Sequence, residues 1–318
     1  MNQPVILDVD TGLDDAMAIM FAVRHPDIDV RAISCVAGNV NLDQVVVNTL
    51  KILDLIDAPP IPVAAGATRP LVEPVRDAAA VHGPSGLGGL ELPPSRRSIA
   101  EVRSVELLRR TLLDAETPVT IVALAPLTNV ALLLRVHPEV VDRIARIVFM
   151  GGSASVGNAS AVAEFNVWHD PEAAHIVINS GIPLVMYGLD VFNEVLASRE
   201  TIAELHRSGD RVSRALGSLL GHEIVDPERG TTTVVQGIGD AGAVCAAVRP
   251  ELFTFERRPL QVALAPGIGR GQTVVDRRGR GSGSLDDGPR DWPRAEVALG
   301  VRTDEVLQLF FDTVLQRH

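Results

Sequence analysis

Apolar and polar positions follow two alternating periods along the first half of the chain. Short runs rich in β-branched residues predict strands, and segments whose apolar residues recur every three or four positions predict helices. The predicted strands lie near residues 5–10, 29–36, 61–63, 119–124, 143–150 and 182–186, and the predicted helices near 13–24, 42–56, 98–114, 128 onward and 171–179. This alternation predicts an α/β fold, a single domain with a mainly parallel, doubly wound central sheet.

Three stretches interrupt this alternation. Residues 67–97 are rich in Pro and Gly and predict a long loop over the active face. The four residues Ser98-Ile99-Ala100-Glu101 then have the spacing of a helix capping box. Residues 151–170 predict a long polar loop, and residues 198–225 predict a helical cap over the pocket.

The C-terminal part combines helices with a few further strands. Its predicted elements are a helix at 240–248 with Asp240 as N-cap, strands near 253–255, 260–264, 272–275 and 296–300, and a last helix at 303–315. We assign residues 1–318 to one domain.

The chain is acidic, with a formal net charge of −11 over 318 residues. This charge argues against nucleic acids and anionic membranes as partners, and the Arg-rich run at 277–281 is expected to be a hairpin tip. Cys35 and Cys245 lie in apolar runs and predict buried thiols, which favours a reducing compartment. Because there is neither a leader nor an apolar run near the roughly 18 residues of a membrane span, we expect a cytoplasmic protein.

Four carboxylates fall within eight residues at the end of the first predicted strand. Asp8 and Asp10 leave the strand on one face, and Asp14 and Asp15 open the helix that follows. Such crowding raises the pKa of each carboxyl group unless a cation lies among them. Oxygen ligands without His or Cys favour Ca²⁺ or Mg²⁺.

Two other acidic motifs can be compared with the same residues. An EF-hand loop beginning at Asp8 requires Gly at its sixth position and Glu at its twelfth, where this chain has Leu13 and Ile19. A Mg²⁺-dependent phosphohydrolase of the haloacid-dehalogenase type fits better, because Asp8 and Asp10 would supply nucleophile and acid. Its threonine, however, comes two places after the second Asp, whereas Thr11 follows directly. This reading remains the first alternative.

Further polar residues follow other strands. Asn39 comes after the second predicted strand and so lies at the same edge of the sheet as Asp10. Asn158, Glu164 and Asn166 lie in the long polar loop beside two aromatic residues. The side chains of this second group, Asn158, Glu164 and Asn166, would suit the hydroxyl groups of a sugar.

Across nearly its whole length, the chain resembles the inosine-uridine-preferring nucleoside hydrolase family. The family's opening aspartate motif is present as Asp8, Asp10, Gly12, Asp14 and Asp15. Further matches in order and spacing are Val36-Ala37-Gly38-Asn39-Val40, Pro126-Leu127-Thr128-Asn129, Met150-Gly151-Gly152, Asn158, Glu164-Phe165-Asn166 and Asp240.

The resemblance implies a role for each matching position. A tightly held Ca²⁺ would be bound by Asp10, Asp15, the carbonyl of Leu124 and Asp240. The substrate-binding residues would be Asp14 and Asn39 for the ribose 2′ and 3′ hydroxyls, Asn158, Glu164 and Asn166 for the rest of the sugar, and His82 close to it.

The implied reaction is hydrolysis of the N-glycosidic bond of a ribonucleoside to ribose and free base. Ca²⁺ would hold the attacking water and Asp10 would accept its proton, while the surrounding carboxylates stabilise the sugar cation. The resemblance also implies nucleoside metabolism, with purine or pyrimidine salvage, and a homodimer or homotetramer. It leaves the preferred base open.

The chain departs from the family just before Asp240. Many members carry a His there that protonates the departing base, whereas this chain has Gly239. His222, on the predicted cap, is the candidate substitute acid. The departure also supports a second alternative, a non-catalytic protein that binds nucleoside or ribose.

Overall fold

The structure is a computed structural model that describes residues 2–226, 230–278 and 291–317. Its strands are β1 (Gln3–Val9), β2 (Ile28–Cys35), β3 (Val63–Ala65), β4 (Val119–Ala123), β5 (Ile144–Met150), β6 (Leu184–Tyr187), β7 (Glu223–Asp226), β8 (Thr231–Val234), β9 (Phe253–Val262), β10 (Thr273–Val275) and β11 (Arg294–Val301). Its α-helices are α1 (Leu13–Arg24), α2 (Leu42–Leu55), α3 (Ala79–His82), α4 (Ser104–Asp114), α5 (Thr128–Val136), α6 (Phe165–His169), α7 (Pro171–Ile178), α8 (Leu189–Phe192), α9 (Arg199–Arg207), α10 (Arg211–Leu220), α11 (Ala241–Val248) and α12 (Thr303–Leu315). Short 3₁₀ helices cover Pro138–Arg143 and Pro250–Leu252.

Nine strands form one central sheet in the order β10-β9-β11-β6-β5-β4-β1-β2-β3. The pairs from β6 through β3 are parallel, as is the pair of β11 with β6, and β9 runs antiparallel to both of its neighbours. This confirms the predicted single α/β domain with a mainly parallel sheet. The two remaining strands, β7 and β8, form a separate antiparallel hairpin.

Helices cover both faces of the sheet and bury the central strands. One apolar cluster packs α1, α2, α10, α11 and α12 against the sheet, and a second cluster packs α4, α5 and α7. Strand β4 is buried at every position, which explains why its sequence lacks the alternation of a half-exposed strand. The carboxyl ends of β1, β2 and β4 consequently meet at one edge of the sheet.

Several predicted boundaries are wrong for local reasons. The capping box at Ser98 does not start a helix, because this segment is extended beside β3 and the Ala100 N–H donates to the Val63 carbonyl at 2.7 Å. Helix α4 begins only at Ser104, whose hydroxyl donates to the Ala64 carbonyl. The two strands predicted at 253–255 and 260–264 are the single strand β9.

The predicted helical cap is two helices followed by the hairpin. Helices α9 and α10 occupy the predicted stretch, but the chain turns at Gly221 and continues as β7 rather than as helix to Val225. The two long loops are confirmed, although each contains a short helix, α3 or α6. Residues 279–281 of the Arg-rich run lie outside the described residues, so its prediction as a hairpin tip is not tested.

Two global predictions can be checked directly. Both cysteines are buried free thiols, as predicted. Among the described residues, no helix is long and apolar enough to cross a membrane.

Candidate active site

The first acidic motif folds back on itself at the end of β1. The backbone N–H groups of Asp10 and Gly12 donate to the two carboxylate oxygens of Asp15 at 3.1 and 3.0 Å. The side chain of Asp15 therefore caps the first turn of α1, whereas the side chain of Asp14, one position earlier, does not. Both hydrogen bonds fix the strand-to-helix turn on which Asp10 lies.

Asn39, in the loop after β2, joins the two buried carboxylates. Its backbone N–H donates to Asp10 Oδ2 at 2.7 Å, and its side-chain amide donates to Asp10 Oδ1 at 3.2 Å and Asp15 Oδ2 at 3.1 Å. Gly38 makes this approach possible, because a Cβ there would lie 2.0 Å from Asp10 Oδ2. The loop after β2 thus orients Asp10 with two hydrogen bonds.

Asp240 completes the group from the start of α11. It stands at the N-cap position but makes no side-chain capping bond, so the prediction of a capping role is wrong. Instead, one carboxylate oxygen each from Asp14, Asp15 and Asp240 lie within 4.8 Å of one another. Gly239 has a φ of +53° and packs against Asp14, where a Cβ would come within 2.4 Å. We call Asp10, Asp14, Asp15, Asn39 and Asp240 together the acidic floor.

The carboxylates of the acidic floor oppose one another's ionisation. Burial, followed by the charge of Asp14, raises the pKa of Asp15 to about 7. Burial and neighbouring carboxylates also raise the pKa of Asp10 and of Asp240 well above the usual range. The Oδ1 atom of Asp14 is buried without a hydrogen-bond partner. A cation would relieve the repulsion and satisfy that oxygen, and an oxygen-only donor set fits Ca²⁺ or Mg²⁺.

A second polar group lies beside the acidic floor at the ends of β4 and β5. The Asn166 amide donates to the Leu124 carbonyl at 2.9 Å and the Met150 carbonyl at 3.2 Å. Glu164 accepts the backbone N–H groups of Gly152 and of two residues in α6. Burial nevertheless raises the pKa of Glu164 to about 7. Both side chains are therefore held rigidly at the pocket wall.

His82 approaches from residues 82–89, which contain four glycines and which we call the Gly-rich loop. Its Nδ1 accepts the Leu13 N–H at 3.1 Å and lies 3.9 Å from Asp14 Oδ1. Burial lowers the pKa of His82, although the charge of Asp14 opposes the shift. The neutral ring accepts at Nδ1, so its proton is on Nε2.

Most of these groups line one pocket of about 320 Å³, whereas Asp10 and Asp15 lie behind its lining residues, hydrogen-bonded to Asn39. The part of its wall formed by α8, the segment after α8 and the hairpin, which we call the base end, includes Phe192, Asn193, Leu196, Ile224 and Thr233–Val235. Asn158 also lines the pocket but is exposed, and it accepts the Phe165 N–H. No Lys or Arg from the described residues lines the pocket, which argues against a phosphate-binding site.

His222 is not among the residues that line the pocket, although it lies beside two that do, Leu13 and His82. It follows α10, and its ring packs against the Gly-rich loop, where a Cβ on Gly88 would lie 2.7 Å from His222 Cγ. Its charge also contributes to lowering the pKa of His82, which lines the pocket, so the role of His222 as the acid for the leaving base stays a prediction. Asp8 is likewise separate from the acidic floor, since it is buried and accepts the Asn129 amide at 2.9 Å.

Most predicted site residues do converge, whereas the base end was missed. The pocket or its floor includes Asp10, Asp14, Asp15, Asn39, His82, Leu124, Asn158, Glu164, Asn166 and Asp240. The base end comes from α8 and the hairpin, and the β-branched run Thr231–Val235 was the available signal for it. An α/β sheet with this donor set fits an enzyme that binds a polyhydroxylated small molecule.

Comparison with known proteins identifies the enzyme class. A family model described as inosine-uridine preferring nucleoside hydrolase matches residues 5–308. The pyrimidine-specific ribonucleoside hydrolase RihA of Escherichia coli O81 (strain ED1a) is 42% identical over 277 residues, covering 87% of this chain and 89% of that protein. The purine-preferring ribonucleoside hydrolase from Gardnerella vaginalis is 30% identical, with a TM-score of 0.85 over 98% of both chains. The plant nucleoside hydrolase PpNRh1 is 28% identical, with a TM-score of 0.86 over 99% of both chains.

The chain belongs to the inosine-uridine preferring nucleoside hydrolase family. It is an enzyme, and its activity is that of a ribonucleoside hydrolase. The resemblance seen in the sequence is thereby confirmed, and the phosphohydrolase and non-catalytic alternatives are set aside.

Proposed function

We propose that this enzyme hydrolyses pyrimidine ribonucleosides to ribose and free base in a Ca²⁺-dependent reaction, with Asp10 as general base. The observation that carries the proposal is the acidic floor itself, with three carboxylates within 4.8 Å of one another and one buried oxygen without a partner. The donor set contains oxygen alone, which suits a hard divalent cation.

Asp10, Asp15, Asp240 and the Leu124 carbonyl would hold the ion, with Asp14 beside them. When bound, Ca²⁺ supplies positive charge that acidifies water and binds the ribose diol. Leu124 already accepts one hydrogen bond from Asn166, and a carbonyl oxygen has a second lone pair for a further ligand.

Asp10 is suited to accept the proton of the attacking water. Its burial raises its pKa above that of an ordinary aspartate, which makes the carboxylate a stronger base. The two hydrogen bonds from Asn39 fix both of its oxygens, so the base is oriented before substrate arrives. As the C1′–N bond breaks, the positive charge that develops on the ribose would be stabilised by Asp14 and Glu164.

The remaining polar residues would bind the sugar. Asp14 and Asn39 would bind the 2′ and 3′ hydroxyls, and Asn158, Glu164 and Asn166 would bind the 5′ side. His82 would donate from Nε2, because its Nδ1 is already engaged by Leu13. A pocket with this many fixed polar groups at one end and a mostly apolar base end matches the two halves of a nucleoside.

Two observations favour pyrimidine bases. RihA, named as pyrimidine-specific, is 42% identical to this chain. The base end also lacks an acidic group among the described residues, and uracil leaves readily as an anion delocalised over its carbonyl oxygens. A purine departs most easily after its imidazole ring is protonated, and no described residue of the base end is an acid that would do this.

A base-release assay tests the proposal. Uridine, cytidine, inosine and 4-nitrophenyl phosphate are incubated with the enzyme, with Ca²⁺ or with a chelator that strips it. We expect uracil from uridine, faster than hypoxanthine from inosine, and no product after chelation. Full activity in chelator would contradict the Ca²⁺ dependence, and phosphate release without base release would contradict the whole proposal.

We also propose that the enzyme is a cytoplasmic homodimer or homotetramer serving nucleoside salvage. Sedimentation equilibrium measures the assembly directly, and a monomer at micromolar concentration would contradict it.

A further inference from the structure

Asp190 belongs to α8, but its carboxylate bonds to a different segment of the chain. Its Oδ2 accepts the Ala154 N–H and its Oδ1 accepts the Ser155 hydroxyl, both at 2.7 Å. Both donors lie in the polar loop that follows β5, 36 and 35 residues away along the chain. Asp190 is not among the residues that line the pocket. Its two hydrogen bonds therefore connect α8 to the start of that loop, which we call the bridge segment (residues 152–155).

The bridge segment is also tightly packed. The Ser153 N–H donates to the Thr273 hydroxyl at 2.8 Å, and that hydroxyl donates to the Ser153 carbonyl at 2.7 Å. Gly152 has a φ of +71°, and a Cβ there would lie 2.5 Å from Thr273 Cγ2. A Cβ on Gly188 would likewise lie 2.8 Å from the Gly152 carbonyl oxygen. The end of β5, the start of α8 and β10 thus meet at the bridge segment with no room for a side chain at either glycine.

Gly152 connects the bridge segment to Glu164 in the pocket wall. Its N–H donates to Glu164 Oε2 at 2.9 Å, and its carbonyl accepts the Leu189 N–H at 3.0 Å. The other backbone donors to Glu164 belong to α6, the helix that Glu164 itself caps. Gly152 is therefore the donor that fixes the Glu164 carboxylate relative to the central sheet.

We propose that Asp190 is a positioning residue for the hydrolytic reaction, which acts through the bridge segment to hold Glu164 at the ribose. The inference rests on the proposed function, because it takes Glu164 as a group that stabilises the positive charge developing on the sugar. A misplacement of about 1 Å, caused by a change away from the chemistry, can lower a rate by about 10²-fold. It therefore assigns a role in the reaction to a residue outside the pocket lining.

A purely structural role for Asp190 has a different consequence. If Asp190 only stabilised the fold, its loss would lower Tm and leave the kcat of the folded enzyme unchanged. A positioning role lowers kcat in the folded enzyme, because the charge that Glu164 stabilises develops in the transition state. The ratio of the kcat effect to the KM effect therefore distinguishes the two roles.

The first test uses two substitutions at Asp190. Asp190→Ala removes both acceptors, and we expect kcat to fall about 10- to 100-fold while KM stays within about threefold. Asp190→Asn should keep kcat within about threefold of the parent enzyme, because its carbonyl can accept the Ala154 N–H and its amide can donate to the Ser155 hydroxyl. Uridine and inosine both serve as substrates, so the result does not depend on which base is preferred.

Asp210 provides a matched control. Its Oδ2 also accepts one backbone N–H and one serine hydroxyl, both from Ser213, at 2.7 and 2.8 Å. Asp210→Ala removes the N-cap of α10, so Tm should fall by a few degrees while kcat and KM stay at the parent values. Calorimetry without substrate should give Asp190→Ala the Kd for Ca²⁺ of the parent enzyme, since Asp190 bonds to the bridge segment and not to the acidic floor.

The second test asks whether the effect passes through Glu164. Glu164→Gln removes the charge but keeps a side-chain oxygen that can accept the backbone N–H groups. In this background, adding Asp190→Ala should lower kcat by less than about threefold, because the charge that Asp190 helps to position is already absent. Such non-additivity is expected of residues that act through one another, whereas independent effects would multiply.

Ser155→Ala extends the test should Asp190→Ala fail to fold. Ser155 is exposed, and its hydroxyl supplies one of the two hydrogen bonds to Asp190. We expect its kcat to fall about three- to tenfold, with Tm close to that of the parent enzyme. The loss should again shrink in the Glu164→Gln background.

The outcomes separate this inference from the proposed function. Parent-like kcat in folded Asp190→Ala, or in Ser155→Ala where the first variant does not fold, would overturn the inference. Equal losses in the parent and Glu164→Gln backgrounds would overturn it too, as would an Asp190→Asn variant as slow as Asp190→Ala. Failure of the parent enzyme to release base from either nucleoside would instead contradict the proposed function.

Discussion

The acidic floor and the base end of the pocket differ in burial, hydrogen bonding and charge. Asp10, Asp15 and Asn39 are buried and joined to one another by side-chain hydrogen bonds. At the base end, Leu196 is 47% exposed, and it pairs with Gly237 only in an isolated antiparallel backbone bridge. Most residues of the acidic floor follow the ends of central strands, whereas the residues of the base end belong to short helices and a separate hairpin.

Under the proposed function, this difference separates the part of the pocket that performs the reaction from the part that contacts the base. Residues at the ends of buried strands move little, because the layers on both faces of the sheet restrain them. Such positions suit groups that bind ribose and take a proton. The hairpin forms its own two-stranded sheet, so its side chains can change without disturbing the central sheet. Base preference can therefore vary while the hydrolytic chemistry stays constant.

The largest expected effect comes from the floor, at the proposed general base. Asp10→Asn should lower kcat on the order of 10³-fold, since it removes a proton acceptor and weakens a metal ligand. The variant should keep its fold, because the amide is isosteric and relieves repulsion with Asp15. Steady-state kinetics and circular dichroism measure both effects.

A surface carboxylate provides the matched control for this variant. Asp43→Asn removes one charge from an exposed position in the first turn of α2. Its kcat should equal that of the parent enzyme. A parent-like rate for Asp10→Asn itself would remove Asp10 from the mechanism.

The second effect is on metal affinity and tests the role of Asn39. Asn39→Ala removes the side-chain amide that donates hydrogen bonds to both Asp10 and Asp15, while both carboxylates remain. We expect the Kd for Ca²⁺ to rise about 10–100-fold, as for other residues that orient metal ligands. Calorimetric titration of the metal-free protein measures this without substrate.

Asn41→Ala separates metal affinity from stability. Asn41 caps α2 by accepting the Gln44 N–H, and its loss should cost about 1 kcal/mol of stability. Its Kd for Ca²⁺ should be unchanged. If both variants weaken Ca²⁺ equally, Asn39 acts through the stability of its loop and not through the ligands.

The contrast between floor and base end also explains what the sequence predicts well. The run Asp8–Asp15 is local, so the strand end, turn and helix start follow from the chain itself. The buried strand β4 was predictable because its apolar run is unbroken. Which carboxylates lie within 4.8 Å of one another was not predictable, since this depends on the φ and ψ angles of the turn between β1 and α1 and on contact with the distant Asp240.

The base end depends on contacts between segments far apart in sequence. The exposed strand β8 is mostly threonine and lacks an apolar face, so alternation gave no clear signal. His222 was predicted on a helix, but the chain turns at Gly221 and directs its ring at the Gly-rich loop.

The third effect is the pH dependence of stabilisation by Ca²⁺. Burial raises the pKa of Asp15 from 3.8 to about 7 in the folded, metal-free protein. The folded state therefore binds more protons than the unfolded state between these values, so its stability falls as pH rises from about 3.8 to about 7. Ca²⁺ binds the ionised form and removes this penalty.

We accordingly expect the Ca²⁺-induced increase in Tm to be larger at pH 8 than at pH 5.5, by a few degrees. Thermal denaturation with and without Ca²⁺ at both pH values measures the difference. Magnesium at the same concentration tests ion identity. An increase in Tm that is larger at pH 5.5 would show that the acidic floor is not the binding site.

The smallest effect concerns neighbouring residues on opposite faces of β7. Ile224 lines the base end, whereas Val225 is 61% exposed. Ile224→Ala removes apolar contact with the base, and we expect KM for uridine to rise about three- to tenfold, as for a loss of roughly 1 kcal/mol of binding. The kcat should stay within about twofold, because uniform binding does not change the chemical step. Val225→Ala should leave both constants unchanged. Equal effects of the two variants would show that the hairpin acts on the enzyme as a whole rather than through its inner face.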